Sequence, residues 1–230
     1  MNARLGLVAV MERLLATYGT QAWWPADSAF EVMLGAILTQ NTAWVNVEKA
    51  LARLREVVDF EARAIAALPH DGLAAAIRPA GYFNVKARRL RSFCLWLEAQ
   101  GGIPGLRGRP TSTLRADLLA VHGIGPETAD DMLLYALERP VFVVDAYTRR
   151  IFGRLGYLAG DEAYEDVQAL FQRELPERAD LFQEYHALIV THAKDACRTR
   201  PRCGVCCLRD VCLYPAQGVR STAGCAADGG

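Results

Sequence analysis

Lysine is scarce in this chain: of 26 basic residues only Lys49, Lys86 and Lys194 are lysine, the rest arginine. Any chemistry that needs an amine nucleophile has three places to come from. Long apolar runs are missing too. Although 52% of the 230 residues are hydrophobic, no stretch approaches the ~18 uninterrupted apolar residues of a membrane helix, so no transmembrane segment is expected. The N-terminal stretch carries Glu12 and Arg13 within a helical pattern and shows no small-residue cleavage site. That argues against a secretory signal and for the cytoplasm. Net charge is zero, so only local clusters can argue for a nucleic-acid partner. Sustained alternation of polar and apolar residues is absent as well, which removes half-buried strands and leaves an all-α class.

What is present is a succession of helical patterns. Leu5 to Tyr18 is amphipathic and stops before Gly19; the loop Ala22-Trp23-Trp24-Pro25 follows, and Ser28 caps Phe30 to Leu38. Gln40-Asn41-Thr42 interrupts. Trp44 to Val57, Phe60 to Leu68, Leu73 to Ile77 and Asn84 to Leu97 resume the 3.6-residue period. Gly101 to Pro110 reads as a Gly/Pro/Arg loop. Helices then fit Leu114 to Val121, Pro126 to Leu137, Ala146 to Leu155, Tyr164 to Leu175 and Asp180 to Lys194. Ala216 to Gly230 is small and polar and is expected to be a disordered tail.

The organising stretch is VHGIGPETADDMLLYALERPVFVVDAYTRR, Val121 to Arg150. The turn His122-Gly123-Ile124-Gly125 joins two helices, and its glycines can adopt φ > 0 without a steric cost. Pro126 suits the first helical position. Such a hairpin aims backbone N–H groups outward, as a phosphate oxygen requires. Asp145 then opens another helix after the apolar run Val141 to Val144, and is either its N-cap or a catalytic carboxylate. The G-I-G-x-x-T-A hairpin followed about twenty residues later by V-D opening a helix resembles the helix-hairpin-helix and Gly/Pro-Asp region of the endonuclease III superfamily of DNA glycosylases. The resemblance implies two helical lobes. One is a barrel over 28–137 that includes the helix-hairpin-helix at 114–137; the other joins 1–27 to 138–215, leaving 216–230 as tail.

Cys197, Cys203, Cys206 and Cys212 form a C-x5-C-x2-C-x5-C run. Four thiols this close in a cytoplasmic chain point to metal rather than disulfides, either tetrahedral zinc or an iron–sulfur cluster. The family carries a similar C-x6-C-x2-C-x5-C loop around a [4Fe-4S] cluster, and the resemblance implies the same group here, with zinc as the alternative. Cys94, Cys207 and Cys225 are left as ordinary thiols. Between the first two ligands, Arg198, Arg200 and Arg202 make a candidate phosphate clamp.

Base excision passes through an oxocarbenium-like state that a carboxylate can stabilise, and the resemblance gives that role to Asp145. Bifunctional relatives add a lysine after the hairpin, in G-V-G-x-K-T-A, which forms a Schiff base with the sugar and cleaves the strand. The matching position here is Glu127. A carboxylate cannot form that adduct, though in a helix's first turn it does favour the macrodipole.

Further matches are similar to the 3-methyladenine glycosylase branch of the superfamily. Trp24, Pro25 and Trp44 would line a base pocket in which a cationic methylated purine gains cation–π attraction, with Lys194 a weaker match. Packing of the two tryptophans is the plain alternative. Gln40 matches a glutamine that fills the gap left by a flipped base. Gly81-Tyr82-Phe83-Asn84-Val85-Lys86-Ala87 resembles the G-L-Y-N-x-K-A loop whose second residue, here Tyr82, wedges between bases. Asn84, Lys86 and the hairpin's His122, Gly123, Ile124 and Gly125 complete the expected DNA contacts.

The resemblance implies a monomeric, nucleoid-associated enzyme of base excision repair. It would bind double-stranded DNA with a damaged base, flip that base into a cleft between the lobes and hydrolyse its glycosidic bond without strand cleavage. A bifunctional glycosylase for oxidised pyrimidines, or a damage-binding module with little catalysis, are the alternatives.

Overall fold

A computed structural model describes residues 5–21 and 26–214, and every regular element in them is helical. The chain divides into two compact units, one spanning 1–23 with 142–230 and the other 24–141. In chain order, α1 (Leu7–Tyr18) belongs to the first unit and ends where Gly19, at φ 69°, turns the backbone out of the helix. The second unit holds α2 (Ala29–Thr39), α3 (Trp44–Val57), α4 (Ala62–Ala67), α5 (His70–Ala76), α6 (Phe83–Ala99), α7 (Gly102–Arg107), α8 (Thr111–Ala120) and α9 (Pro126–Asp131). The chain then returns to the first unit for α10 (Ala146–Arg154), α11 (Tyr164–Glu174) and α12 (Ala179–Asp195). No described helix is long and apolar enough to cross a membrane.

The core of the 24–141 unit is built around α2, whose residues from Val32 to Leu38 are all buried. A helix apolar on every side belongs at the centre of a bundle. Ser28 starts it, its hydroxyl accepting from Glu31 N–H at 3.2 Å as expected for a serine cap. Around it pack Val47, Leu51 and Leu54 of α3, Leu90, Phe93 and Leu97 of α6, and Leu114 and Leu118 of α8. The core of the other unit is aromatic: Phe142 stacks on Phe171 at 4.1 Å, and Phe152, Phe182 and Tyr185 meet them edge to face.

Two elements depart from the expectations set by the sequence. Gly101 to Pro110 contains α7 rather than loop alone, because Gly101 and Gly102 both take positive φ and Gly105 has no Cβ. A Cβ there would lie 1.9 Å from the carbonyl oxygen of Gln100, so glycine lets this short helix seat on the end of α6. The helix expected over Pro126 to Leu137 is α-helical only to Asp131. From Met132 to Ala136 it widens to a π-turn, in which Leu137 N–H reaches Met132 O five residues back at 3.2 Å. Arg139 N–H bonds Leu133 O, and Glu138 at φ 53° closes the end.

Candidate active site and nucleic-acid interface

The hairpin between α8 and α9 uses one of its two glycines for conformation. Gly123 sits at φ 86°, whereas Gly125 is extended at φ −96° and serves as the N-cap of α9. Of the two glycines that could take positive φ, only Gly123 does so. His122 is exposed and Ile124 is buried, so the Ile124 side chain anchors the turn in the core and only its backbone remains for a ligand. The two helices are pinned by a fork: Arg115 Nε and Nη2 donate to the two oxygens of the fully buried Asp130 at 2.8 and 3.1 Å. Glu127 is exposed in the first turn of α9.

Next to the hairpin lies the turn between α2 and α3. Gln40 donates through Nε2 to Gly123 O at 3.2 Å and to Thr128 Oγ1 at 2.8 Å, while Arg89 Nη1 donates to its Oε1. Lys86 is buried. Its ammonium donates to Leu38 O at 2.9 Å, Thr42 Oγ1 at 2.7 Å and Ala80 O at 2.8 Å. All three donors of a lysine are thereby used. The expected DNA contact by Lys86 is therefore corrected: this residue ties the Gln40 turn to the Tyr82 turn from inside and has no donor left for a phosphate. Burial, with the nearby Arg89 guanidinium, lowers its pKa to about 8.

Tyr82 stands out on that second turn, 73% exposed and left-handed at φ 45°. A non-glycine residue held there is strained, and strain of this kind gathers at ligand contacts. Asn84 is exposed one residue into α6. Trp44, at the start of α3, is half-buried against the core and donates its indole N–H to Glu48 at 3.0 Å. Trp24 and Pro25 lie outside the described residues.

In the other unit, the run Val141 to Val144 is buried and held by α11. Gln172 accepts from Phe142 N–H at 2.9 Å, Gln168 donates to Phe142 O at 2.7 Å, and Val144 N–H donates to the Tyr164 hydroxyl at 3.2 Å. This fixes Asp145 at the head of α10. Its Oδ1 accepts from Thr148 N–H at 2.7 Å and Thr148 Oγ1 at 2.8 Å; its Oδ2 lies 3.7 Å from Nε2 of the buried His186. The carboxylate is 12% exposed. Burial by itself would raise its pKa, but the His186 imidazole and the two Thr148 bonds outweigh burial and hold it below the ordinary carboxylate range. Asp145 is thus both cap and buried anion. Lys194 is exposed at the end of α12.

The cysteine loop follows α12. Arg198, Arg200 and Arg202 are exposed, and the backbone that carries them is held by two arginines from α10. Arg150 donates to Cys197 O at 2.9 Å and Ala193 O at 3.2 Å. Arg154 donates to Arg198 O at 2.7 Å, Thr199 O at 3.0 Å and the Cys197 sulfur at 3.3 Å. Cys212 donates to Arg154 O, and His192 Nε2 lies 3.6 Å from the Cys206 sulfur. Cys197, Cys203, Cys206 and Cys212 are free thiols and close enough to influence one another electrostatically. As placed, no three described His, Cys, Asp or Glu side chains converge on a single-ion site.

Sequence reasoning missed Arg89, Arg115, Arg150, Arg154 and His186. Arg150 and Arg154 do leave a trace, since i, i+4 spacing places both on one face of α10.

A hairpin between two helices, an aspartate capping a later helix after a buried extended run, and a C-terminal cysteine loop define a class of helical DNA-repair proteins. Comparison with known proteins agrees. The family model described as "HhH-GPD superfamily base excision DNA repair protein" matches residues 34–177, and the chain belongs to that superfamily, whose members include DNA glycosylases. It is 44% identical over 203 residues to the "Putative DNA repair glycosylase MJ1434" of Methanocaldococcus jannaschii, covering 87% of this chain and 92% of that one. The endonuclease III of Sulfolobus acidocaldarius is 30% identical over 196 residues, covering 84% and 86%. Among solved structures, an endonuclease III–DNA complex superposes with a TM-score of 0.82 at 21% identity over 96% of this chain and all of that one, a likeness of fold. The 3-methyladenine DNA glycosylase of H. pylori bound to 1,N6-ethenoadenine gives 0.70 at 30% identity over 83% of this chain and 98% of that one.

Proposed function

We propose that this chain is a monofunctional DNA N-glycosylase that removes an alkylated purine by hydrolysis, with Asp145 as its catalytic carboxylate. The observation that carries the reading is the pairing of a buried, low-pKa Asp145 with an exposed Glu127 where bifunctional relatives place their lysine. A carboxyl held ionised below its ordinary range is a weak base. Its contribution is charge: it stabilises the oxocarbenium that develops at C1′ as the C1′–N bond breaks, and it orients the water that adds there. The departing purine takes the bond's electrons. A purine alkylated at N3 or N7 is already cationic and leaves as a neutral base, so no protein acid is needed for it. Trp24, Pro25, Trp44 and Lys194 are the proposed base-pocket residues. Similarity to a 3-methyladenine glycosylase seen with an ethenoadenine base supports this choice of substrate.

Contacts to the duplex are assigned to the exposed His122, the backbone of Gly123, Ile124 and Gly125, Tyr82, Asn84, and Arg198, Arg200 and Arg202. The four cysteines suit a [4Fe-4S] cluster in the chemistry of their donors, all soft sulfur with no carboxylate among them. Such a cluster would be held by Cys197, Cys203, Cys206 and Cys212 and would supply rigidity to the arginine loop. Arg150 and Arg154 already brace that loop from α10.

Borohydride trapping and an Asp145→Asn variant test the reading together. Asparagine still caps α10, so the variant should melt close to wild type while excision falls at least ~100-fold. Wild type should give no trapped protein–DNA adduct. Retained turnover in Asp145→Asn, or a trapped adduct, would contradict the proposal.

A further inference from the structure

Gln40 was expected to leave the protein and fill the gap of a flipped base, yet both ends of its amide are spent on the protein. Nε2 bonds Gly123 O and Thr128 Oγ1, and Oε1 takes a charge-assisted bond from Arg89. Arg89 also roofs the hairpin. A Cβ on Gly123 would lie 2.2 Å from Arg89 Cγ and 2.6 Å from Cδ, so the arginine stem rests directly on that glycine. Gly123 is thus constrained twice, by its φ of 86° and by this contact. One turn earlier on α6, Lys86 fastens the 38–42 turn to Ala80, next to Tyr82. Lys86 and Arg89, three residues apart, meet neutral oxygens in these bonds; Lys86 fixes the Gln40 turn to the Tyr82 turn, and Arg89 holds it at the hairpin. Tyr82 is the contrast: it is exposed and projects from a left-handed backbone position.

Resting on the reading of this chain as a DNA glycosylase, we propose that Arg89 is a positioning residue that locks Gln40 into the hairpin scaffold, so that Tyr82 alone enters the base stack. Releasing Gln40 would strand the Arg89 guanidinium and two acceptors on the hairpin in a half-buried place, each loss carrying a desolvation cost. An aromatic wedge needs no such release. Its ring covers the face of the base opposite the lesion, as stacking platforms do.

The full-length protein is bound to a duplex in which an abasic analogue faces 2-aminopurine, a base whose fluorescence falls when stacked. Wild type should quench the probe and Tyr82→Ala should not. Gln40→Ala should quench as wild type does. Arg89→Met should lower affinity about tenfold, the loss of one charge-assisted bond, with the slope of log K against log salt unchanged, because Arg89 acts through the turn and not on a phosphate. Arg89→Lys keeps the charge but lacks the guanidinium nitrogen that reaches Gln40 Oε1, and should resemble Arg89→Met, which guards against a loss caused by charge alone. Loss of quenching in Gln40→Ala would overturn the proposal, and so would a fall of about 0.9 in the Arg89→Met salt slope. Base release by wild type on an alkylated duplex, run in parallel, separates the two readings: without it the glycosylase assignment fails, whatever the probe shows.

Discussion

Asp145 and Lys86 carry opposite charges in buried positions, and the surroundings of each decide what it can do. Asp145 is met by donors from Thr148 and by the His186 imidazole, which hold its pKa below the ordinary carboxylate range. Lys86 is met by three neutral oxygens that use every N–H it has. Replacing it with methionine leaves those acceptors unmet and should destabilise the protein by about 3 kcal/mol, seen as a lower denaturant midpoint without a change in m. The pH dependence follows from a folded pKa of about 8 against an ordinary value of 10.5. Between those values the unfolded chain binds more protons, so wild-type stability gains relative to the variant as the pH rises from 8 towards 10.5. The Lys86→Met deficit should therefore widen across that window, and a deficit that narrows would put the charge elsewhere. The residue types at these positions were legible in the sequence. Their burial was not: Lys86 sits in a motif that reads as a DNA loop, and only the fold shows its side chain turned inward. The Asp145 role as cap was legible because an aspartate at the start of a helical run is a local signal; His186, 41 residues away, leaves none.

At the scale of elements, the hairpin is pinned by a charge pair between its two helices. Arg115 reaches from α8 to the fully buried Asp130 in α9 with two parallel bonds. Arg115→Met strands a buried carboxylate and should cost about 3 to 5 kcal/mol, with loss of DNA binding tracking loss of fold; a variant of wild-type stability would show the pair to be dispensable. The cysteine loop works differently, as an exposed basic segment clamped from α10. Replacing Arg198, Arg200 and Arg202 together by alanine should weaken duplex binding and lower the salt slope by about 2.7, three phosphate contacts' worth. An unchanged slope would remove the loop from the interface. Helix periods located nearly every element, because amphipathic spacing is local information. The exceptions, α7 and the π-turn at Met132–Ala136, arise from packing: Gly105 permits close contact with Gln100, and the carbonyls of Met132 and Leu133 are taken up beyond the α-helical register.

At the scale of the whole molecule, the superfamily accounts for base excision, and the choice between one chemical step and two rests on a single position. A lysine there would carry the reaction on from base removal to strand cleavage; under the proposed function, Glu127 in its place leaves the reaction at the abasic site. The three lysines of the chain reinforce this. Lys86 is buried and consumed by hydrogen bonds, Lys49 lies on α3, and Lys194 ends α12. The most direct test is a gel assay on duplexes carrying one alkylated purine, one oxidised pyrimidine or one abasic site, each run with and without alkali. The account predicts breaks at the alkylated purine only after alkali, and none at the abasic site without it. Breaks that form without alkali, on any of the three duplexes, would mean that a lysine acts on the sugar and would contradict it.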